Sequence, residues 1–138
     1  MKTKRILFGG IAGGVIFFLL GWLIYGMLLM DFMAVNTNQG LSKPMDEMIW
    51  WAMILSNLAS GFLLSFVINW SSTTAVMSGI KFGGVIGFLF AFGIDFSFYS
   101  MTTMYPDLTP VFVDIISYTV MTAVTGGVVA WVMGMVKK

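Results

Sequence analysis

The sequence predicts an all-α integral membrane protein, a four-helix bundle that forms a single domain over residues 1–138. Of its 138 residues, 59% are hydrophobic and only 9% are charged, whereas about a quarter of the residues in a soluble domain are charged. The apolar residues also form four runs long enough to cross a bilayer, which takes about 20 residues per helix. These runs must be helical, because the hydrocarbon core offers no water to unpaired backbone groups.

The four apolar runs give the predicted transmembrane spans, which cover residues 6–30, 48–69, 79–104 and 111–136. The first span follows Lys2, Lys4 and Arg5, as the apolar stretch of a signal peptide would. It is longer than such a stretch, and no small-residue cleavage site follows Met30. We therefore interpret it as a true span.

The connections between the spans are expected to be simple. We predict a polar loop over Asp31–Glu47 and a short turn before the fourth span. In that turn, Thr109 is expected to be the N-cap and Pro110 the first helical residue, since proline is favoured at that position.

Charged residues are divided unequally between the two sides of the predicted bundle. Six of the seven basic residues fall on the side of both termini: Lys2, Lys4, Arg5, Lys81, Lys137 and Lys138. The other side holds one lysine and most of the acids: Lys43, Asp31, Asp46, Glu47 and Asp107. Because cytoplasmic loops of membrane proteins are enriched in Lys and Arg, we predict that both termini are cytoplasmic.

Several functional classes are disfavoured by the residues that the chain lacks. It contains no Cys and no His, so disulfides and metal or haem sites built on sulfur or imidazole are excluded. It has no basic patch interleaved with aromatic residues for nucleic acid. We also find no paired acids and no nucleophile–base pair, so we predict no enzymatic activity, no cofactor and no metal.

The first and third spans resemble each other. A shift of 74 residues aligns the glycine-rich segments 8–13 and 82–87, and the same shift pairs Tyr25 with Tyr99. One interpretation is a parallel repeat of two helical hairpins. The other is that glycine-rich spans resemble each other by composition alone.

Glycines are concentrated toward the side of the termini, and many have the small-xxx-small spacing that lets helices approach closely. The predicted packing positions are Gly9, Gly10, Gly13, Gly14, Gly83, Gly84, Gly87, Gly126 and Gly127. We therefore expect this half of the bundle to be tight. The opposite half is rich in aromatic residues and is expected to be wider.

Asp95 is the main candidate for a functional residue, because it is a carboxylate inside an otherwise uncharged span. Charge at such depth costs about 2.5–3.5 kcal/mol on insertion scales, and these residues usually face a bundle interior or a wet cavity. Helical spacing places Asp95 on a face with Gly84, Gly87, Ala91, Phe98 and Thr102. We expect that face to point inward.

A count of residues along the other spans predicts which side chains share the depth of Asp95. They are Trp22, Tyr25, Asn57, Thr119 and Thr122. Asn57 is the expected partner, since an amide can donate to a carboxylate. Asp95 is then either protonated and hydrogen-bonded to its neighbours, or ionised and bound to an external cation.

These alternatives give two hypotheses about function. In the first, the chain is a structural or accessory subunit, and Asp95 joins helices or contacts a partner subunit in the membrane. In the second, the chain is a small oligomeric transporter or channel, and Asp95 binds a proton or a cation. Its predicted partners are the lipid bilayer and either further copies of the chain or another membrane protein.

The end of the first span carries a motif that suggests a family. The segment reads Gly21-Trp22-Leu23-Ile24-Tyr25-Gly26-Met27-Leu28 and follows a basic N-terminus. Together with the span pattern, it resembles an uncharacterised family of small four-span bacterial membrane proteins, catalogued as a domain of unknown function. The resemblance implies a location in the bacterial inner membrane and no known activity. Small multidrug transporters offer a chemical analogy, but their membrane carboxylate lies in the first span and not the third.

Overall fold

The structure, a computed structural model, describes residues 2–37 and 47–136. The described residues form helices and no strand. In chain order the elements are α1 (Lys2–Leu23), a π-helical segment (Ile24–Leu28), α2 (Met30–Asn36), α3 (Trp50–Ser71), α4 (Val76–Met101) and α5 (Leu108–Met135).

Four helices are long and apolar enough to cross a membrane, which confirms the predicted all-α four-helix architecture. They cover Thr3–Leu28, Trp50–Ser71, Val76–Met101 and Leu108–Met135, within three residues of the predicted spans. Length and composition of this kind are those of an integral membrane protein.

The long helices pack in the order α3, α1, α5, α4, and each pairs mainly with its neighbour in that order. α5 lies between α1 and α4 and has the most buried residues. α3 and α4 hardly touch. We call the end with the start of α1 and the end of α5 the termini side. The end with the start of α5 is the loop side.

On the termini side the helix backbones are in direct contact through glycine. A Cβ added to Gly83 or Gly126 would overlap a backbone carbonyl oxygen of the partner helix, that of Thr122 or Gly79. A Cβ on Gly13 would lie 2.7 Å from a methyl carbon of Val129. The predicted packing positions with such close neighbours are Gly9, Gly10, Gly13, Gly14, Gly83, Gly87, Gly126 and Gly127.

Gly84 does not belong to this set, so its predicted packing role is wrong. Its nearest neighbour, the Cβ of Ala123, would lie 3.8 Å from an added Cβ. The buried face of α4 follows a strict four-residue spacing: Gly79, Gly83, Gly87, Ala91 and Asp95. Phe98 and Thr102, which were also expected on this face, are exposed.

The loop side is more open. A buried cluster joins α4, α5 and the turn between them through Ala91, Tyr105, Val111 and Ile115. Between α1 and α3, however, a cavity of about 560 Å³ separates the helices. The two halves of the bundle therefore differ in packing, as the distribution of glycine predicted.

Two predictions about the loop-side connections are wrong. The expected loop after the first span begins with a helix, α2, and residues 38–46 of that loop lie outside the described residues. The N-cap of α5 is Asp107 and not Thr109, because the Asp107 carboxylate accepts a hydrogen bond from the backbone N–H of Thr109. Acceptors such as Asp satisfy the free N–H groups of a helix start.

Candidate functional site

Two carboxyl groups face each other across the α4–α5 seam. Asp95 lies six residues before the end of α4 at Met101, and Asp114 lies six residues after the start of α5 at Leu108. In an antiparallel helical hairpin, residues equally far from the connection lie at the same level. At a rise of 1.5 Å per residue, that level is about 9 Å below the helix ends.

Asp95 is the deeper member of the pair, with only 5% of its surface exposed. Its Oδ1 accepts a hydrogen bond from the Tyr105 hydroxyl at 3.3 Å. The carboxyl of Asp114 lies within hydrogen-bonding reach of Asp95. Yet Asp95 Oδ2 is buried and accepts no hydrogen bond from any residue that the structure describes. Buried polar atoms of this kind are rare and call for a missing donor.

Tyr105 supplies the donor from the turn between α4 and α5, and its side chain is 7% exposed. Burial raises the pKa of its phenol above the usual range, and the nearby carboxyls of Asp114 and Asp95 raise that pKa further. Because a higher pKa keeps the phenol protonated, Tyr105 remains a hydrogen-bond donor to Asp95 across the physiological pH range.

Tyr25 reaches the site from α1 through the π-helical segment. There the Leu29 N–H bonds to the Ile24 carbonyl at 2.7 Å, five residues back, which widens the turn. Short π-helical turns of this type often occur at functional sites. The Tyr25 hydroxyl donates a long hydrogen bond, 3.4 Å, to the backbone carbonyl of Asp114. Tyr25 thus ties α1 to the residue that carries the second acid.

Aromatic packing closes the site on its inner side. Tyr118 lies one helical turn beyond Asp114, toward the termini side. Its ring stacks on Phe90 with centroids 6.0 Å apart and meets the edge of Phe17 at 5.7 Å. Apolar aromatic rings therefore lie next to the acid pair on its termini side.

On the loop side the pair has access to a small cavity. Asp114 is only partly buried and lines a cavity of about 220 Å³. The other lining residues come from α1, α2 and the α4–α5 turn: Tyr25, Met30, Met33, Thr37, Met104 and Tyr105. Asp114 is thus placed between the cavity and the buried Asp95.

No described basic residue lies near the acids. The basic side chains that the structure describes are those of Lys4, Arg5 and Lys81, all in the termini-side part of the bundle. Arg5, for example, donates from Nε to the carbonyl of Met133 at 3.0 Å. The described residues also contain no group of three or more His, Cys, Asp and Glu side chains that could hold a metal ion. The pair can exchange a proton or accept a small cation.

Of the side chains predicted to surround Asp95, Tyr25 reaches the acid pair through its hydrogen bond to the Asp114 carbonyl. The expected Asp95–Asn57 partnership is wrong: Asn57 donates to the carbonyl of Met53, in its own helix, at 2.9 Å. Its helix, α3, barely touches α4. Trp22 is 55% exposed and lines the 560 Å³ cavity with Asn57.

The two predicted threonines bond within their own helix. Thr119 donates to the Ile115 carbonyl at 2.7 Å. Thr122 donates to the Tyr118 carbonyl at 2.6 Å and lies against Gly87 in the packed seam. Neither forms a polar layer with Asp95.

Sequence reasoning missed Asp114, Tyr105 and Tyr118, and the expectation that the chain has no paired acids was wrong. The predicted hairpin did not indicate Asp114, because Asp95 lies nine residues before the predicted span end at residue 104 and Asp114 only three residues after the predicted start at 111. With the helix ends of the structure, Met101 and Leu108, both acids lie six residues from the turn. No sequence pattern marks Tyr105 either.

Comparisons with known proteins assign neither a family nor a function to the chain. No protein-family model, no curated protein and no solved structure matches the chain.

Proposed function

We propose that the chain is a small transporter that moves protons, in which Asp95 and Asp114 share one proton and exchange it with the solution on the loop side. The observation that carries this proposal is the buried Asp95 Oδ2, which accepts no hydrogen bond from any described residue while a second carboxyl lies beside it. A proton held between the two carboxyls supplies that donor.

Electrostatics supports a shared proton. Two ionised carboxylates in contact repel each other, and in a site of low dielectric that repulsion is severe, so one of them holds a proton. Deprotonation of the pair would leave one buried and one partly buried charge with no described basic residue to balance them. The proton would then be replaced by another proton or by a small cation, which is the chemistry of a transport site.

The geometry suggests a route for that proton. Asp114 lines the loop-side cavity, whereas Asp95 is almost fully buried behind it. Tyr105, whose hydroxyl contacts Asp95, lines the same cavity. Proton exchange therefore begins at Asp114 and continues inward to Asp95, and the packed ring of Tyr118 must move for the proton to go farther.

The membrane context follows from the charges and from the family resemblance. Both termini face the cytoplasm of a bacterial inner membrane, so the loop side faces outward. The helices present many exposed apolar side chains, which contact lipid and further copies of the chain in a homo-oligomer. An enzymatic reaction is not part of this proposal.

The test is proton flux into liposomes that contain the purified chain and a trapped pH-sensitive dye. A potassium diffusion potential drives protons inward. We expect proton flux in the wild type and no change in Asp31→Asn. Asp95→Asn and Asp114→Asn should each lose flux by at least about tenfold, because each removes one of the two carboxyls that accept and release the proton. Asp31 is a matched control, because it is an exposed acid on the same side.

The second candidate function is that of a structural or accessory subunit. It is supported by the same contacts of Asp95, which also join two helices. The hydrogen bond from Tyr105 and the adjacent Asp114 hold Asp95 at the α4–α5 seam. If this is the role, wild-type liposomes show no flux above empty ones. In that case Asp95→Leu lowers the unfolding midpoint in a denaturing detergent titration, because it removes the polar contacts at the α4–α5 seam, and the conservative Asp95→Asn lowers it less.

A further inference from the structure

We propose that the cavity between α1 and α3 binds a neutral, lipophilic small molecule with one hydrogen-bond donor. We define this cavity as the α1–α3 groove. Its lining residues are Phe18, Gly21, Trp22, Tyr25, Gly26, Met30, Met48, Trp50, Met53, Asn57 and Met121. Its volume of about 560 Å³ lies within the range of about 300–1,000 Å³ that is typical of small-molecule sites.

The lining indicates a lipophilic molecule. Four of the lining residues are methionines, whose flexible thioether chains adapt to ligands of different shape and contact aromatic rings favourably. Four more are aromatic, and two of these, Trp22 and Trp50, have more than 40% of their surface exposed. A ligand in the groove would cover these rings.

The absence of charge in the lining favours a neutral ligand. None of the groove residues that the structure describes is Asp, Glu, Lys or Arg. A cation placed here would meet only ring faces and an amide, and burial of an ion without a counter-charge is costly.

Asn57 specifies the single polar group of the ligand. Its Nδ2 donates to the Met53 carbonyl, and its Oδ1 accepts no hydrogen bond from the described part of the chain. A hydroxyl or N–H group on the ligand can donate to this oxygen. The Tyr25 hydroxyl is not available for the same purpose, because it donates to Asp114.

Gly21 keeps the groove open. A Cβ added to Gly21 would have one neighbour within 4 Å, the Met121 sulfur at 3.9 Å. This contrasts with Gly13 and Gly14 in the same helix, whose added Cβ atoms would overlap α3. A larger side chain at Gly21 would therefore project into the groove without forcing the helices apart.

The groove also has a connection to the acid pair, and this part of the inference rests on the proposed function. Tyr25 lines the groove, lines the 220 Å³ cavity and bonds to the Asp114 backbone. A ligand that presses on the Tyr25 ring shifts its hydroxyl relative to Asp114. Occupancy of the groove is thereby coupled to proton exchange.

The binding test uses the full chain in phosphatidylcholine nanodiscs and isothermal titration calorimetry, with empty nanodiscs subtracted to remove partitioning into lipid. The probes are 1-naphthol, naphthalene (which lacks the hydroxyl) and the organic cation tetraphenylphosphonium. We expect saturable binding of 1-naphthol, weaker binding of naphthalene and none of the cation.

Three variants locate the site. Gly21→Leu fills the groove and should weaken 1-naphthol binding by about tenfold or more, equal to about 1.4 kcal/mol. Gly93→Leu is its control, because no atom lies within 4 Å of an added Cβ there, and it should leave binding unchanged. Asn57→Leu should reduce the affinity for 1-naphthol to that for naphthalene, a loss of up to about tenfold for one hydrogen bond.

Two results with the wild type would overturn the inference: a titration equal to that of empty nanodiscs, or saturable binding of the cation but not of 1-naphthol. Two results with the variants would do the same: equal 1-naphthol affinities in Gly21→Leu and Gly93→Leu, or an unchanged 1-naphthol affinity in Asn57→Leu. Asp95→Asn separates this inference from the proposed function. That variant should lose proton flux but still bind 1-naphthol, so ligand binding in the groove and proton transport can each fail while the other stands.

Discussion

The two halves of this bundle use the same helices for opposite purposes. On the termini side, glycines bring helix backbones into contact and side chains such as Leu64, Ile68 and Val129 are fully enclosed. On the loop side, the same helices hold a buried acid pair and two cavities. The difference suggests that one half provides stability and the other tolerates costly polar groups.

Within α1 the change occurs over two helical turns. Gly13 contacts α3 and α5 so closely that no side chain fits, whereas Gly21 faces open space. The π-helical segment then follows at Ile24–Leu28 and directs Tyr25 toward Asp114. A helix that is locked at one end and irregular at the other can move at the irregular end alone.

The largest effect is expected for Gly83→Ala on the packed side. The new methyl group would overlap the Thr122 carbonyl oxygen and force α4 away from α5. Overpacking of this kind costs about 1–3 kcal/mol. Unfolding in a denaturing detergent titration measures it, and Gly93→Ala on the same helix is the control. Equal midpoints for the two variants would mean that the α4–α5 seam is not tightly packed.

A smaller loss is expected for Tyr105→Phe on the loop side. It removes the donor to Asp95 Oδ1 and leaves a second buried oxygen without a partner, at a cost of about 1–2 kcal/mol. Tyr99→Phe is the matched control, since Tyr99 is 38% exposed. The same detergent titration compares them. If Tyr105→Phe unfolds at the wild-type midpoint, the hydrogen bond to Asp95 does not contribute to stability.

Tyr25→Phe should cost less, about 0.5 kcal/mol, because the bond that it removes is long and its acceptor is a neutral carbonyl. Its main effect should fall on the proton flux, which Tyr25 influences through Asp114. Stability and flux measured on the same preparation separate the two effects. A loss of stability as large as that of Tyr105→Phe would contradict the ranking.

The smallest effect is expected for Gly21→Ala. The added methyl group meets only the Met121 sulfur at ordinary contact distance, and alanine favours helix by up to about 1 kcal/mol over glycine. The variant should therefore be as stable as the wild type or slightly more so. Gly13→Ala, eight residues earlier, should be clearly destabilised. If the two substitutions have the same effect on unfolding, α1 is not divided as the structure indicates.

Much of this architecture could be predicted from the sequence, because it depends on local composition. Four apolar runs predicted the long helices, and small-residue spacing predicted the contacts at Gly13, Gly83 and Gly126. The burial of Asp95 was also predicted, since a charge at that depth has few alternatives.

The partners of Asp95 could not be predicted by depth alone. The count of residues along each span assumed that all four helices surround Asp95, but α3 packs against α1 and hardly contacts α4. Asn57 therefore lies in the α1–α3 groove, at a distance from the acid pair. Helix order is a tertiary property, and one sequence does not reveal it. The π-helical turn at Tyr25 could not be predicted either, because no residue pattern specifies it.

The most direct test of the account is infrared spectroscopy of the protonated carboxyl band in the purified chain. We predict that the wild type shows this band at neutral pH, because Asp95 and Asp114 share one proton beside Tyr25, Tyr105 and Tyr118. Asp95→Asn should abolish the band, Asp114→Asn should change its frequency because the hydrogen-bond partner of Asp95 changes, and Asp31→Asn should leave it unchanged. A wild-type spectrum without the band at neutral pH, a band that persists in Asp95→Asn, or an unchanged band in Asp114→Asn would contradict the shared proton.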